Sequence, residues 1–315
     1  MINNCPYCKA EKFSLVTNEI RDSETSIIRR CMSCGLVFLD SNEGFISNIE
    51  QYYNESYTVD NSLICGEVIS ASENFDAVLK TKQQLLPALT KYLDPSFDIL
   101  DVGCGTGSLL YLLKDYVKSC TGIEINREHA DYAKAKVGCD IYTTSIEDLP
   151  KEQRFDAILL ISVLEHMANP FKTVVELKNM LKPGGFLFIE IPNCNEALLD
   201  CLPGDAYRKF FYHKAHLYYF TEAFFGEFLS DCGYSYEVSS RQDYTLINFL
   251  NWWFLGKRQV SFEDAQCKTV LYDSEDDPFK KDMNNIFKHA DLEFRKAMKK
   301  HRRGYILTFI AKMAD

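Results

Sequence analysis

At 315 residues, with 46% hydrophobic and 25% charged side chains, the chain is long enough for two domains or one large domain with appendages. A formal net charge of −10 argues against bulk nucleic-acid binding, because neutralising phosphates needs a basic face. No apolar run is long enough to span a bilayer, and the opening MINNCPYCKA lacks the basic and apolar segments of a secretory signal, so no membrane insertion and a cytoplasmic location are expected.

Twelve cysteines in such a chain are expected as reduced thiols, and four of them have a distinctive spacing. Cys5-Pro-Tyr-Cys8 and Cys31-Met-Ser-Cys34-Gly35 form two C-x2-C pairs separated by 22 residues. Each pair can aim two sulfurs at one point, and two pairs complete a tetrahedron around Zn2+. The intervening KFSLVTNEIRDSETSIIRRC reads as two short strands around a polar turn, so residues 1–40 are expected to form a zinc ribbon. Four cysteine ligands leave no open position, which favours a structural over a catalytic metal. A redox pair is the rival, but no helix opens on either C-x2-C. Residues 41–95 read as a helical lid or linker, in which Tyr52, Tyr53 and Tyr57 either fold over a ligand or simply pack.

SFDILDVGCGTGSLLYLLKDY is a short apolar strand, a turn containing Gly103, Gly105 and Gly107, and an amphipathic helix. A dinucleotide site would carry G-x-G-x-x-G, whereas here the third glycine comes one residue early. Asp101 just before the turn would repel a pyrophosphate but could hold an ammonium group. SCTGIEIN is a strand ending in Glu124, about twenty residues beyond the turn and placed to bind two ribose hydroxyls. Asn126 caps a helix through Lys136. CDIYTTSIEDLP gives a third strand and an acidic turn, and FDAILLISVLEHM a fourth, buried strand. A helix over Pro170–Leu181 is expected to stop at KPGG, before the fifth strand GFLFIEIPN. Strand–helix alternation of this kind implies an α/β doubly wound parallel sheet with ligands at its carboxyl edge.

ILDVGCGTG, GIEIN, IEDLP, FDAILLISVLEHMANP and LKPGGFLFIEIPN resemble the successive motifs of the class I S-adenosylmethionine (SAM)-dependent methyltransferases. The resemblance runs over about residues 75–240 and implies a Rossmann-like seven-stranded sheet whose last strand is antiparallel. The core would then be 96–240, with a substrate-side insertion at 241–303 and the final strand in 304–315. It implies that Gly103, Gly105 and Gly107 line the SAM loop, with Asp101 near the methionine end. Glu124 would hold the ribose, and Ile146 would cover the adenine with Glu147 nearby; Ser145 stands where the family often has Asp. The four-cysteine unit, HLYYFT with the following helix, and RQDYTLINFLNWWFLGKRQ further resemble bacterial sugar methyltransferases of polysaccharide and antibiotic-sugar pathways.

FYHKAHLYYF holds His213 and His216, two of only six histidines. By that resemblance His216 is the general base and His213 its neighbour, with Ala215 where the pattern carries Glu. His166 and Asn193 also belong to the carboxyl edge, and aromatic packing without chemistry is the rival reading. Three functions stay open: a sugar methyltransferase acting on a hydroxyl of a nucleotide-linked or polysaccharide-linked saccharide, a methyltransferase for another small metabolite, and a non-catalytic SAM and zinc-ribbon binding module; the partner expected is a small-molecule or glycan acceptor. The basic run from Lys288 to Arg303 is either a solvated helix face or a local anion site.

Overall fold

The computed structural model describes residues 2–21, 26–40, 70–150, 152–259 and 261–314. Its strands are β1 (Phe13–Thr17), β2 (Ile27–Cys31), β3 (Val37–Asp40), β4 (Asp98–Val102), β5 (Ser119–Ile123) and β6 (Asp140–Tyr142). There follow β7 (Phe155–Ile161), β8 (Leu181–Pro192), β9 (Tyr218–Tyr219), β10 (Tyr234–Arg241) and β11 (Ile306–Met313). They form a seven-stranded sheet of order β10-β11-β8-β7-β4-β5-β6 and a four-stranded sheet of order β1-β2-β3-β9. In the large sheet β4, β5, β6, β7 and β8 pair in parallel, and the β10–β11 end is antiparallel. This is the mixed α/β, Rossmann-like arrangement expected, with the last strand, β11, inside the expected 304–315.

The helices used below are α1 (Ala71–Lys82), α2 (Ser108–Leu113), α3 (Arg127–Val137), α4 (Pro170–Leu177), α5 (Glu222–Asp231), α6 (Leu246–Leu255) and α7 (Pro278–Lys300). Among the described residues no helix is long and apolar enough to cross a membrane. The chain divides into two compact units, one of residues 1–41, 191–225 and 238–308, the other of 42–190, 226–237 and 309–315.

In the second of these, β7 is buried at every position but Asp156, as a strand covered on both faces must be. Ile99, Leu110, Leu113, Leu159 and Phe188 belong to one core, each fully withdrawn from water. A buried side chain of this kind contributes about 1.5–3 kcal/mol. Lys182 joins Asp98 at 2.6 Å and Asp156 at 2.7 Å at the amino edge of the sheet. That lysine, first among the causes, holds the Asp98 carboxyl down to about 2. The opposite, carboxyl edge is left to the glycine turn.

One expected boundary is corrected. KPGG does not separate helix from strand: α4 ends at Leu177, a 3-10 turn takes Lys178–Met180, and β8 already begins at Leu181. The register against β7 slips there, between Phe155↔Leu181 and Ala157↔Phe186. Gly185 sits in that irregularity because a Cβ would meet the carbonyl oxygens of Lys182 and Phe155 at 2.9 and 3.0 Å.

In the first unit β1, β2 and β3 form an antiparallel meander, and β9 pairs with β3 through Val37↔Tyr219 and Phe38↔Tyr218. The strands β1 and β2 match the two expected. Of the basic run, Arg295 is an internal tie on α7: it pairs with Asp291 at 2.7 Å and donates to the Gln242 carbonyl at 2.7 Å. Lys288 and Lys296 pair with Glu275 and Glu293.

Candidate active site

The glycine turn leaves β4 at Val102 with Gly103 at φ 73°, Gly105 at 56° and Gly107 at 80°, a region that strains any side chain. The three are needed for different reasons. A Cβ on Gly103 would lie 2.7 Å from Val163 Cγ2, and one on Gly107 would lie 2.8 Å from Val137 Cγ2. A Cβ on Gly105 would meet nothing within 4 Å, so this glycine borders open space. Gly103 and Gly107 thus let the turn pack down, while Gly105 offers bare backbone to a ligand.

Two carboxyl groups flank that backbone. Asp101, 3% exposed on β4, is pushed up to about 7, chiefly by burial; Lys82 opposes this and the Glu124 charge adds to it. Glu124, just past β5, accepts the Gly105 N–H on one oxygen and the Asn126 N–H on the other, both at 2.8 Å. Asn126 in turn caps α3 through the His129 N–H. A cavity of about 750 Å³ opens beside these elements, between Asn126 and Arg127 on one side and Thr143, Ser145 and Asp148 on the other. Ile146 lies half-buried on the 3-10 turn Ile146–Asp148, which also contains Glu147, and Ser145 donates to Asp148 at 2.9 Å.

The helix α1, expected only as part of a lid or linker, braces the turn. Thr106 donates to the Asn74 side chain at 3.2 Å, and Ser108 donates to the Phe75 carbonyl at 3.0 Å. At the end of β7, Ser162 adopts φ 56°, its N–H bound to the Glu190 carbonyl at 2.8 Å. Strained backbone held this firmly is common at functional sites. The 3-10 turn Leu164–His166 follows. Here His166 has a companion that sequence reasoning missed. Glu165 is 1% exposed, its carboxylate accepts no hydrogen bond among the described residues, and it lies 3.8 Å from His166 Nε2. Burial, outweighing its own backbone and Lys82, pushes it up to about 8. The signal was an acid directly beside a histidine at a strand's carboxyl end, in LEHM.

In the other unit the His213 and His216 rings lie 3.9 Å apart between centroids, and His216 packs 5.6 Å from Tyr219. The Tyr219 hydroxyl accepts the His213 N–H at 2.8 Å and donates to the His213 carbonyl at 2.9 Å. The Leu39 N–H donates to the Leu217 carbonyl at 2.9 Å, fastening this segment to the strand after the cysteines. Ala215 is buried, and Thr221 caps α5 through the Phe224 N–H. Asn193 is buried just past β8. The tyrosines Tyr52, Tyr53 and Tyr57 lie outside the described residues.

The sulfurs of Cys5, Cys8, Cys31 and Cys34 all lie within 4.8 Å of one another, with Cys5–Cys34 at 3.7 Å and Cys8–Cys31 at 3.5 Å. Zinc–sulfur bonds of about 2.3 Å in a tetrahedron put the sulfurs about 3.8 Å apart, so the donor set fits that ion.

Comparison with known proteins agrees with this geometry. Residues 100–189 match the family model of a methyltransferase domain. The mitochondrial ubiquinone biosynthesis O-methyltransferase of Candida albicans is 34% identical over 110 residues, which are 32% of this chain and 34% of that one. Its counterpart from Coxiella burnetii is 30% identical over 141 residues, 41% of this chain and 60% of the relative. The chain thus spans between a third and three fifths of these curated relatives. The plantazolicin methyltransferase BpumL, solved in complex with SAH, superimposes with a TM-score of 0.50 at 16% identity, covering 87% of this chain and 97% of that one. The fold is that of the class I SAM-dependent methyltransferases.

Proposed function

We propose that the chain is a SAM-dependent methyltransferase acting on a hydroxyl of a small molecule. The observation that carries this is the open backbone at Gly105, set between buried Asp101 and the Glu124 carboxylate. A ligand with an ammonium at one end and a ribose in its middle suits that pair. SAM, when bound, supplies a methyl group on a sulfonium whose leaving group is a neutral thioether.

Asp101 would receive the ammonium group, which favours its ionised form. Each Glu124 oxygen spends one lone pair on a backbone N–H and keeps another for a ribose hydroxyl. Ile146 would cover the adenine, with Glu147 on the same turn. A matching methyltransferase-domain model over 100–189 supports the same reading. The protein's remaining task is to align and desolvate the acceptor, which can contribute several kcal/mol, and to take its proton. His216 is the proposed base with His213 beside it, and His166 is the alternative. The four-cysteine cluster is proposed to hold one structural Zn2+.

For the acceptor, the Candida and Coxiella relatives are named for O-methylation in ubiquinone biosynthesis, which supports a small molecule bearing a hydroxyl. The saccharide expected from sequence gains no support from those relatives and rests on the four-cysteine unit and the histidine–aromatic segment. A methylation screen separates the two. Full-length protein with methyl-deuterated SAM is offered phenolic and catecholic acceptors alongside nucleotide sugars, and products are read by mass spectrometry. Label on a hydroxyl, reduced on the order of a hundredfold by His216→Ala with SAH affinity kept, is expected. Transfer to no acceptor class, or only to carbon or nitrogen, would count against the proposal.

A further inference from the structure

The helix α6 ends in a tip to which the site described above gives no role. Its first half is locked into the unit that carries the cysteines. Thr245 caps it through the Asn248 N–H, the Leu246 N–H donates to Asp291 at 2.7 Å, and Phe249 packs on Phe294 with ring centroids 5.3 Å apart. Gly256, at φ 61°, then turns the chain back, and the Gln259 N–H donates to the Asn248 side chain at 3.2 Å. Residues 252–258 thus run out and return as a closed tip. Trp252 pins its base, packing on Tyr207 and Phe210 at 5.0 and 5.1 Å.

Beyond that base, large apolar side chains stand in water. Trp253 is 42% exposed, Phe254 74% and Leu255 61%. Single exposed apolar residues are ordinary, but three in succession at one helix end form a patch that calls for a partner. Successive residues of a helix point about 100° apart, so these three fan around the tip instead of lining one face. A flat protein partner, a second copy of this chain included, would cover one side and leave the others wet. A fluid apolar phase surrounds all three.

Charge agrees with that partner. Lys257 is exposed directly after the Gly256 cap, and the Arg21 and Arg258 guanidinium groups lie 4.9 and 6.0 Å from the centre of the Phe210 ring at the base of the tip. The acids next to this ring along the chain already face bases: Asp205 lies 3.9 Å from Arg208, and Glu19 pairs with Lys209. The collar of the tip is therefore basic, on a chain whose net charge is −10. An apolar tip with a basic collar complements the headgroup boundary of an anionic bilayer, where aromatic and aliphatic groups enter and Lys and Arg reach the phosphates. We propose that the α6 tip docks the protein on an anionic phospholipid surface, through Trp253, Phe254 and Leu255 with Lys257 and Arg258 at the headgroups. The tip lies in one leaflet's boundary and does not cross the bilayer, and the inference depends on neither the cofactor nor the acceptor.

The test is co-sedimentation of the full chain with phosphatidylcholine vesicles, with and without phosphatidylglycerol, read together with tryptophan emission. The chain has two tryptophans, of which Trp252 is buried and Trp253 exposed. Binding to the phosphatidylglycerol vesicles with a blue shift in emission is expected, and it should weaken as salt rises because the basic groups are exposed. Phe254→Ser with Leu255→Ser should weaken it on the order of tenfold or more, and Lys257→Gln by less, all at unchanged melting temperature. Trp253→Phe keeps the tip apolar, so it should still bind while losing the emission shift. No sedimentation with either vesicle, equal binding by the double variant, or self-association of the wild type that the double variant abolishes would overturn the inference.

Discussion

Glu124 accepts the Gly105 N–H and the Asn126 N–H at 2.8 Å each, so one carboxylate ties the glycine turn to the start of α3. The residue proposed to bind the ribose is thus also the brace of the glycine turn. Glu124→Gln keeps one acceptor oxygen and Glu124→Ala keeps none. Both should weaken SAH, the alanine variant by roughly tenfold more, as loss of charge-assisted bonds predicts. Hydrogen exchange at Gly105 should speed up in the same order. Unchanged SAH affinity in Glu124→Ala, measured by calorimetry, would remove Glu124 from the site.

Asp101 predicts a pH dependence. Its folded value, raised to about 7, means that the free protein carries the proton below neutrality, whereas the unfolded chain has lost it by about pH 4. Stability should therefore decline as pH rises between those limits, because charging the buried group costs more than charging it in water. A cationic ligand needs the ionised form, so SAH affinity should fall by up to about tenfold per pH unit below neutrality. Calorimetry across that range should show proton release, and Asp101→Asn should bind weakly with a flat profile. A wild-type profile as flat as the variant's would refute the assignment.

The glycines separate folding from binding. Gly103→Ala drives a methyl group to within 2.7 Å of Val163 and should cost on the order of 2–4 kcal/mol of stability, combining backbone strain with overpacking. Gly105→Ala meets open space and should cost only about 1–2 kcal/mol, the backbone term alone. Its loss of SAH affinity should be disproportionately large. Chemical denaturation and calorimetry on both variants check this.

How much of this was legible in sequence depends on the range of the interactions. The strands β4, β5, β7 and β8 announce themselves by apolar runs, and the turn by its glycines, because both are local patterns. PGG in β8 reads as a breaker, yet Gly185 is there because carbonyl oxygens crowd its Cβ position, a contact across strands. The Asn74–Thr106 bond joins residues 32 apart, and β9 is a two-residue strand paired to β3, far too short for periodicity to reveal. Glu165 is marked locally only by its place beside His166 at the end of β7; its burial, at 1% exposed, stays hidden because acids are ordinarily solvated. The four cysteine sulfurs came together as their spacing implied.

That cluster gives a further test. Purified protein should contain close to one zinc per chain, and Cys31→Ser with Cys34→Ser should remove it. Since ligation supplies much of the folding energy of so small a unit, hydrogen-exchange protection in β1, β2 and β3 should collapse while β4 and β7 keep theirs. Equal loss in both regions, or zinc retained in the double variant, would argue against the assignment.

The central claim is that the turn from Asp101 to Gly107 is a SAM site, and titration calorimetry of the full chain with SAH and, separately, NAD tests it most directly. One SAH per chain, bound at roughly micromolar Kd or tighter and well ahead of NAD, is the predicted result. Folded protein that gives no binding heat with SAH at any temperature tried, or that binds NAD in preference, would contradict it.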